Sequence, residues 1–253
     1  MSINSQKVIK ILRKTKKLLL SQWGKADVIC QKDESCHNIV TEMDVKIENF
    51  SRIELAKIYP EISFVGEETG GNRQAQKFWL MDPIDGTQHF VRGLPFCTSM
   101  LALINNGEVE FGAIYDFIAD KTYWAEKGKG AFCNDKRIYV SHRSLKDSYL
   151  CWETRLEKDE NKNLYFKLES KAHLIKAICA GWEFAMVANG KLDGRITFDP
   201  YGSDYDYAPG SLLVSEAGGM VTNLNSDKYD YRNTSFIACN STIYNELASE
   251  NIF

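Results

Sequence analysis

The chain of 253 residues is 44% apolar and 26% charged, ordinary values for a globular protein long enough to bury a full core, and they exclude disordered, collagen-like and membrane classes. A formal net charge of −3 speaks against a nucleic-acid groove, because holding a polyanion requires a basic face. The seven cysteines (Cys30, Cys36, Cys97, Cys133, Cys151, Cys179, Cys239) are odd in number, scattered and never spaced C-x-x-C, so they read as reduced thiols of a cytoplasmic protein rather than as sulfur metal ligands.

In the lysine-rich N-terminal stretch the longest apolar run, Leu18 to Leu20, is too short for a signal sequence or a membrane span. Val8, Ile11, Leu12, Thr15, Leu18 and Leu19 recur instead at helical spacing and predict one amphipathic helix. A polar stretch, Gly24 to Asn38, leads to a second predicted helix over 41–60, closed by Pro60. A strand from Ile62 to Val65 ends in GEETGG (66–71), a turn carrying two acids. The apolar run Phe78 to Met81 predicts a buried strand that stops at Asp82 and Asp85.

From Thr98 onward, strands at 100–104, 109–117, 121–126, 131–134 and 136–141 are separated by short polar turns and predict an antiparallel meander. Beyond 145 helices and strands alternate: strands at 149–153, 174–179, 195–198, 220–222 and 236–238, helices at 158–170, 181–190 and 208–217, and a closing helix. Layers in the order α, β, α, β, α fit this pattern. With no repeat, low-complexity tract or Pro/Gly/Ser-rich linker, residues 1–253 read as one domain, whose N-terminal α+β half (about 1–145) and C-terminal α/β half (about 146–253) share a core.

Three acidic clusters each follow a strand or precede a helix: Glu67 and Glu68, Asp82 and Asp85 in DPIDGT, and Asp204 and Asp206 in GSDYDYA. Taken singly, each would be a solvated turn or a helix cap. The middle pair departs from that, since Trp79 to Met81 imply burial right up to Asp82, and crowded buried carboxylates call for a cation. Carboxylates from distant segments, without a convergent His or Cys set, suit Mg²⁺ far better than Zn²⁺. Gly86 and Thr87 add backbone amides at a turn entering a helix, a cradle for phosphate.

WLMDPIDGTQHFVRGLPF (79–96), the upstream VGEET and DYAPGSLLVSEAGG (206–219), in this order, resemble the inositol monophosphatase family of Mg²⁺-dependent, lithium-sensitive phosphatases, over nearly the whole chain. The resemblance implies an α/β fold, a layered αβαβα sandwich of the inositol monophosphatase / fructose-1,6-bisphosphatase type, in a homodimer. It implies two or three Mg²⁺ ions: Glu67, Asp82 and the Ile84 carbonyl would hold the first, Asp82, Asp85 and Asp206 the second, and Glu67 would share a third. The hydroxyl of Thr87, oriented by Asp44, would help activate the attacking water together with the Glu67 site, and the amides of Gly86 and Thr87 would bind phosphate. Asp85, Ala180 and Gly181 would line the substrate, and the acid that contacts its hydroxyls would be Asp199, unless Thr197 takes that place.

The chain departs from the family pattern in Tyr205, where a tryptophan is common before the last metal aspartate; Asp206 rather than Asp204 matches the spacing to Glu216, Ala217 and Gly218. Gln88 and His89 replace a common threonine-asparagine pair, and His89 reads as a surface or cap residue. A phosphatase working through an aspartyl-phosphate would need its nucleophile two residues before Asp85, where Pro83 stands. The expected function is hydrolysis of a small phosphorylated polyol or sugar, with inositol 1-phosphate foremost. Fructose 1,6-bisphosphate, histidinol phosphate, NADP and 3′-phosphoadenosine 5′-phosphate are the alternatives, and a non-catalytic metal- or phosphate-binding scaffold is the rival from another class.

Overall fold

A computed structural model describes residues 3–31, 39–226, 228–250 and 252. The N-terminal pattern yields two helices rather than one, α1 (Ser5–Lys14) and α2 (Lys16–Gln22), because the amide and hydroxyl of Thr15 both bond the Leu12 carbonyl and tighten the turn there. Part of the stretch expected to be loop is a strand: β1 (Val28–Gln31) pairs antiparallel with β2 (Ile39–Thr41), a partner that no local periodicity announces. Residues 32–38 of that stretch, with Cys36, lie outside the described residues. Next comes α3 (Glu42–Ile58), started by a capping box in which Thr41 and Asp44 satisfy each other's backbone amides.

The first sheet holds β3 (Ser63–Gly66), β4 (Lys77–Asp85), β5 (Thr98–Asn105), β6 (Glu108–Asp116), β7 (Lys121–Glu126), β8 (Gly130–Cys133) and β9 (Lys136–Arg137), in that order. The pairs from β5 to β9 form the expected antiparallel meander; beyond that expectation, β4 joins β5 antiparallel and β3 joins β4 in parallel. The five-residue helix α4 (Thr87–Val91) fills the connection between β4 and β5.

The second sheet, in the order β11-β10-β12-β14-β13, holds β10 (Tyr149–Trp152), β11 (His173–Lys176), β12 (Gly194–Thr197), β13 (Met220–Asn223) and β14 (Phe236–Cys239). Its helices are α5 (Asp159–Glu169), α6 (Ala180–Ala188), α7 (Asp204–Glu216) and α8 (Ser241–Ser249). The start of α7 falls earlier than the expected 208, because Ser203 and Asp206 form a second capping box.

Three apolar clusters define five layers. Val8, Leu12, Ile47 and Leu55 from the first helices pack on Trp79, Leu101 and Phe111 of the first sheet. On that sheet's other face, Met100 and Ile114 meet Phe184 and Leu213 of α6 and α7, which also cover Phe236 and Ala238 of the second sheet. Leu168, Ile243 and Leu247 then close the outer face of the second sheet. Residues of both halves therefore share the middle cluster, and the layer order is α, β, α, β, α. Cys97, Cys133, Cys151, Cys179 and Cys239 are free thiols, and among the described residues no helix is long and apolar enough to cross a membrane.

Candidate metal centre

Residues three apart in a regular strand point to opposite faces, so Asp82 and Asp85 should be separated. The register shows how they meet: Asp82 faces Met100 and Asp85 faces Thr98, leaving Pro83 and Ile84 opposite Ser99 alone. This is a one-residue bulge, which turns both carboxylates to one side. Pro83 suits it, having no amide to pair, while its carbonyl accepts the Ser99 hydroxyl at 2.7 Å. Asp206, from the first turn of α7, completes the group: one oxygen from each of Asp82, Asp85 and Asp206 lies within 4.8 Å of the others.

Burial raises the pKa of all three. Asp82 is 1% exposed; its carboxyl is pushed well above the ordinary range by desolvation, then by the charges of Glu67, Asp206 and Asp85 and a hydrogen bond with Glu67. Its Oδ1 is buried with no hydrogen-bond partner. Asp206 is raised by burial and then by Asp85 and Glu67. The rise at Asp85 is also due to burial, opposed by donors on Oδ2 from the Cys179 thiol (2.9 Å) and the Gly181 amide (2.6 Å). A buried, orphaned carboxylate oxygen among three mutually repelling acids is what a hard divalent cation satisfies, so the donor set fits one.

Asp44 commits Oδ2 to its cap, accepting the amide and hydroxyl of Thr41 at 2.7 Å each, and turns Oδ1 toward the Thr87 hydroxyl at 3.4 Å. That hydroxyl donates to the Ile84 carbonyl at 2.8 Å. Burial raises the Asp44 pKa to about 7, against the Thr41 hydrogen bonds and with help from Glu68 and Glu67. Gly86 has φ of 81°, and a Cβ there would lie 2.4 Å from the Phe96 carbonyl oxygen, so only glycine makes this turn and delivers the Thr87 amide to a helix start.

The remaining residues singled out in the sequence divide. Ala180 and Gly181 open α6 beside Asp85. Asp204, the competitor for the metal position, is ion-paired with Arg73 at 2.5 Å instead. Asp199 is held by Lys158 (2.9 Å) and Arg155 (3.4 Å), while the Thr197 hydroxyl is buried without a partner. His89 is half-buried, its ring edge-on to Phe96 at 6.0 Å and its pKa lowered by burial. Two supports escaped sequence reasoning. Glu48, fully buried one helical turn after Asp44, accepts the amides of Glu68 (3.2 Å) and Thr69 (2.9 Å) and so fixes the turn that carries Glu67. The capping boxes that aim Asp44 and Asp206 were legible as T-x-x-D and S-x-x-D.

These shifts set a pH dependence for the metal-free protein. Each raised carboxyl keeps its proton in the folded chain where the unfolded chain, at about 3.9, has lost it, so stability falls as pH rises from about 4 and, for Asp44, up to about 7. In chelator the unfolding temperature is expected to climb as pH is lowered through that window, and Mg²⁺ should flatten the trend. Thermal scans across the window, with and without chelator, check this; a chelated protein that gains stability with rising pH would contradict it.

The family model described as "Inositol monophosphatase family" matches residues 5–252. The chain is 33% identical over 240 residues to the Thermotoga maritima fructose-1,6-bisphosphatase/inositol-1-monophosphatase, covering 94% of this chain and 92% of the relative, and 31% identical to bovine inositol monophosphatase 1, covering 84% and 81%. Among solved structures it is similar to a Thermotoga maritima IMPase, with TM-score 0.85, 32% identity and 97% of each chain covered. The Bartonella henselae extragenic suppressor protein suhB gives a TM-score of 0.87 at 28% identity, with 97% and 96% covered. A match of that extent, on a fold whose acids gather as the motifs require, means that the chain belongs to the inositol monophosphatase family of metal-dependent phosphatases.

Proposed function

We propose that the protein is a Mg²⁺-dependent phosphomonoesterase acting on a small phosphorylated polyol or sugar, with inositol 1-phosphate foremost. The observation that carries this reading is the gathering of buried Asp82 and Asp85 with half-buried Asp206, together with the orphaned Asp82 Oδ1. Glu67, Asp82 and the Ile84 carbonyl would hold one ion, Asp82, Asp85 and Asp206 another, and Glu67 would share a third. When bound, Mg²⁺ would supply neutralisation of the crowded acids, polarisation of the phosphoryl oxygens and a lowered pKa of water.

The chain's own residues do the rest. The amides of Gly86 and Thr87, at the turn into helix α4, would hold the phosphate. The Thr87 hydroxyl, whose one proton goes to the Ile84 carbonyl at 2.8 Å, would turn it to Asp44 Oδ1 at 3.4 Å where an ion takes that carbonyl, and would then orient the attacking water. Ala180 and Gly181 would bound the substrate beside Asp85, and Asp199 would meet its hydroxyls only on leaving Lys158 and Arg155, with which it is paired in the structure. A sugar bisphosphate is the second reading: the cations Arg155 and Lys158 flanking Asp199 suit a further anionic group, and the Thermotoga relative carries both activities in its name. The homodimer follows the family resemblance and the cytoplasmic location the scattered cysteines, and light scattering tests the first.

Phosphate release by the purified protein, stripped with chelator and then given Mg²⁺, is the test, with inositol 1-phosphate, fructose 1,6-bisphosphate, histidinol phosphate, NADP and 3′-phosphoadenosine 5′-phosphate offered in parallel. Activity only with Mg²⁺, highest on inositol 1-phosphate, is expected. LiCl should inhibit, since Asp82, Asp85 and Asp206 would trap Li⁺ with product. No release from any of the five would favour the non-catalytic scaffold.

A further inference from the structure

Arg195, on β12, is 1% exposed and sits in the interior. A buried guanidinium needs its charge matched, and two carboxylates match this one at its terminal nitrogens, while its Nε–H has no hydrogen-bond partner. Here the fork is divided: one terminal nitrogen donates to Glu183 on α6 and the other to Glu153, just beyond β10. The rings of Phe184 and Tyr207 lie 5.2 and 5.4 Å from the guanidinium carbon.

Neither arm stops at its glutamate. Glu183 Oε1 accepts the amides of Ile178 at 2.5 Å and Cys179 at 3.3 Å, ahead of α6. The turn so held carries the Cys179 thiol and the Gly181 amide, which donate to Asp85 Oδ2 alongside the Thr98 hydroxyl of β5 at 3.3 Å. There is no slack in it, for a Cβ on Gly181 would fall 2.2 Å from the Thr98 hydroxyl oxygen. On the other arm, Glu153 Oε1 accepts the Tyr207 hydroxyl at 2.9 Å, and Tyr207 follows Asp206 in the first turn of α7. One side chain on the second sheet thus ties together the helix starts that bear on Asp85 and Asp206.

Stability alone is a weak reason for such a triad, since buried ion groups can often be replaced by apolar residues at no loss. A divided fork fixes the relative placement of two segments, which apolar packing does less sharply. We infer that Arg195 is a positioning residue for the metal subsite formed by Asp82, Asp85 and Asp206, setting the distance between Asp85 and Asp206 through Glu183 and Glu153. This rests on the metal-dependent reading proposed above. The subsite formed by Glu67, Asp82 and the Ile84 carbonyl is supported separately, from Glu48, and should not depend on Arg195.

Direct Mn²⁺ titration, following the spectrum of the free ion, tests this on the whole protein, with unfolding midpoints in chelator measured alongside. The variants are Arg195→Lys, whose single ammonium cannot serve both arms; Cys179→Ala, which removes one donor to Asp85 and no charge; and the triple Arg195→Met, Glu153→Gln, Glu183→Gln, which leaves no uncompensated ion if Arg195→Lys fails to fold. Each is expected to weaken one class of Mn²⁺ site by about 10–100-fold, the range for groups that orient metal ligands, and to leave the other within about twofold. Unchanged binding in Cys179→Ala and the triple variant, or an equal weakening of both classes, overturns the role of Arg195. Wild-type protein that binds no Mn²⁺ would overturn the metal reading itself.

Discussion

Asp82→Asn is expected to raise the unfolding temperature of the metal-free protein while abolishing its stabilisation by Mg²⁺ and lowering turnover on the order of 10³-fold. The opposed signs follow from one feature. In the metal-free chain Asp82 is buried among Glu67, Asp206 and Asp85, each of which pushes its carboxyl toward protonation. A neutral isostere removes the cost of keeping that carboxyl protonated on folding, and a gain of about 1 kcal/mol corresponds to about 2–4 °C in a chain of this size. With Mg²⁺ the balance reverses, because wild-type protein gains stability from any ligand that prefers the folded state and the variant has lost a ligand common to both subsites. Melting curves of both proteins, with and without Mg²⁺, check the stability arm, and steady-state phosphate release checks the other. A variant that melts lower in chelator, yet keeps the Mg²⁺ shift, would mean that Asp82 is an ordinary buried acid.

Thr87→Ala is expected to lower kcat by about 10²–10⁴-fold, the range for a positioned proton-transfer group, with KM and Mg²⁺ dependence changing far less. The hydroxyl lies between the Ile84 carbonyl and Asp44 Oδ1, at 2.8 and 3.4 Å. If that hydroxyl orients the attacking water, as proposed above, its effect belongs to the transition state. Asp44→Asn should reproduce the loss, and the double variant should be scarcely worse than either single one, since groups that act as a unit are not additive. A purely structural Thr87 predicts otherwise. Loss of a helix-start hydroxyl would cost roughly 1 kcal/mol of stability and leave kcat near normal. Asp44 needs a separate control, because its Oδ2 caps α3. Thr41→Ala breaks that cap without touching Thr87, so a large kcat loss in Asp44→Asn and a small one in Thr41→Ala would assign the effect to Oδ1.

The sequence by itself determined the layered α/β order, the antiparallel meander and the acids worth watching. Those are local matters: short apolar strands separated by polar turns across β5 to β8, and a run of apolar residues ending at Asp82, are written within a few positions of one another. Family motifs added the ligand set, with Asp206 preferred to Asp204 on spacing. What only the tertiary structure decided is direction and partnership. Strand periodicity would place Asp82 and Asp85 on opposite faces, and the bulge over Pro83 and Ile84, fixed by the register against Met100, Ser99 and Thr98 of β5, brings them together. Asp204 goes to Arg73, and Asp199 to Lys158 and Arg155, because those cations are near in space and distant in sequence. Glu48, Glu183 and Arg195 look like surface charges in a linear reading; the fold buries each one because a backbone amide or an opposite charge from another segment is there to meet it.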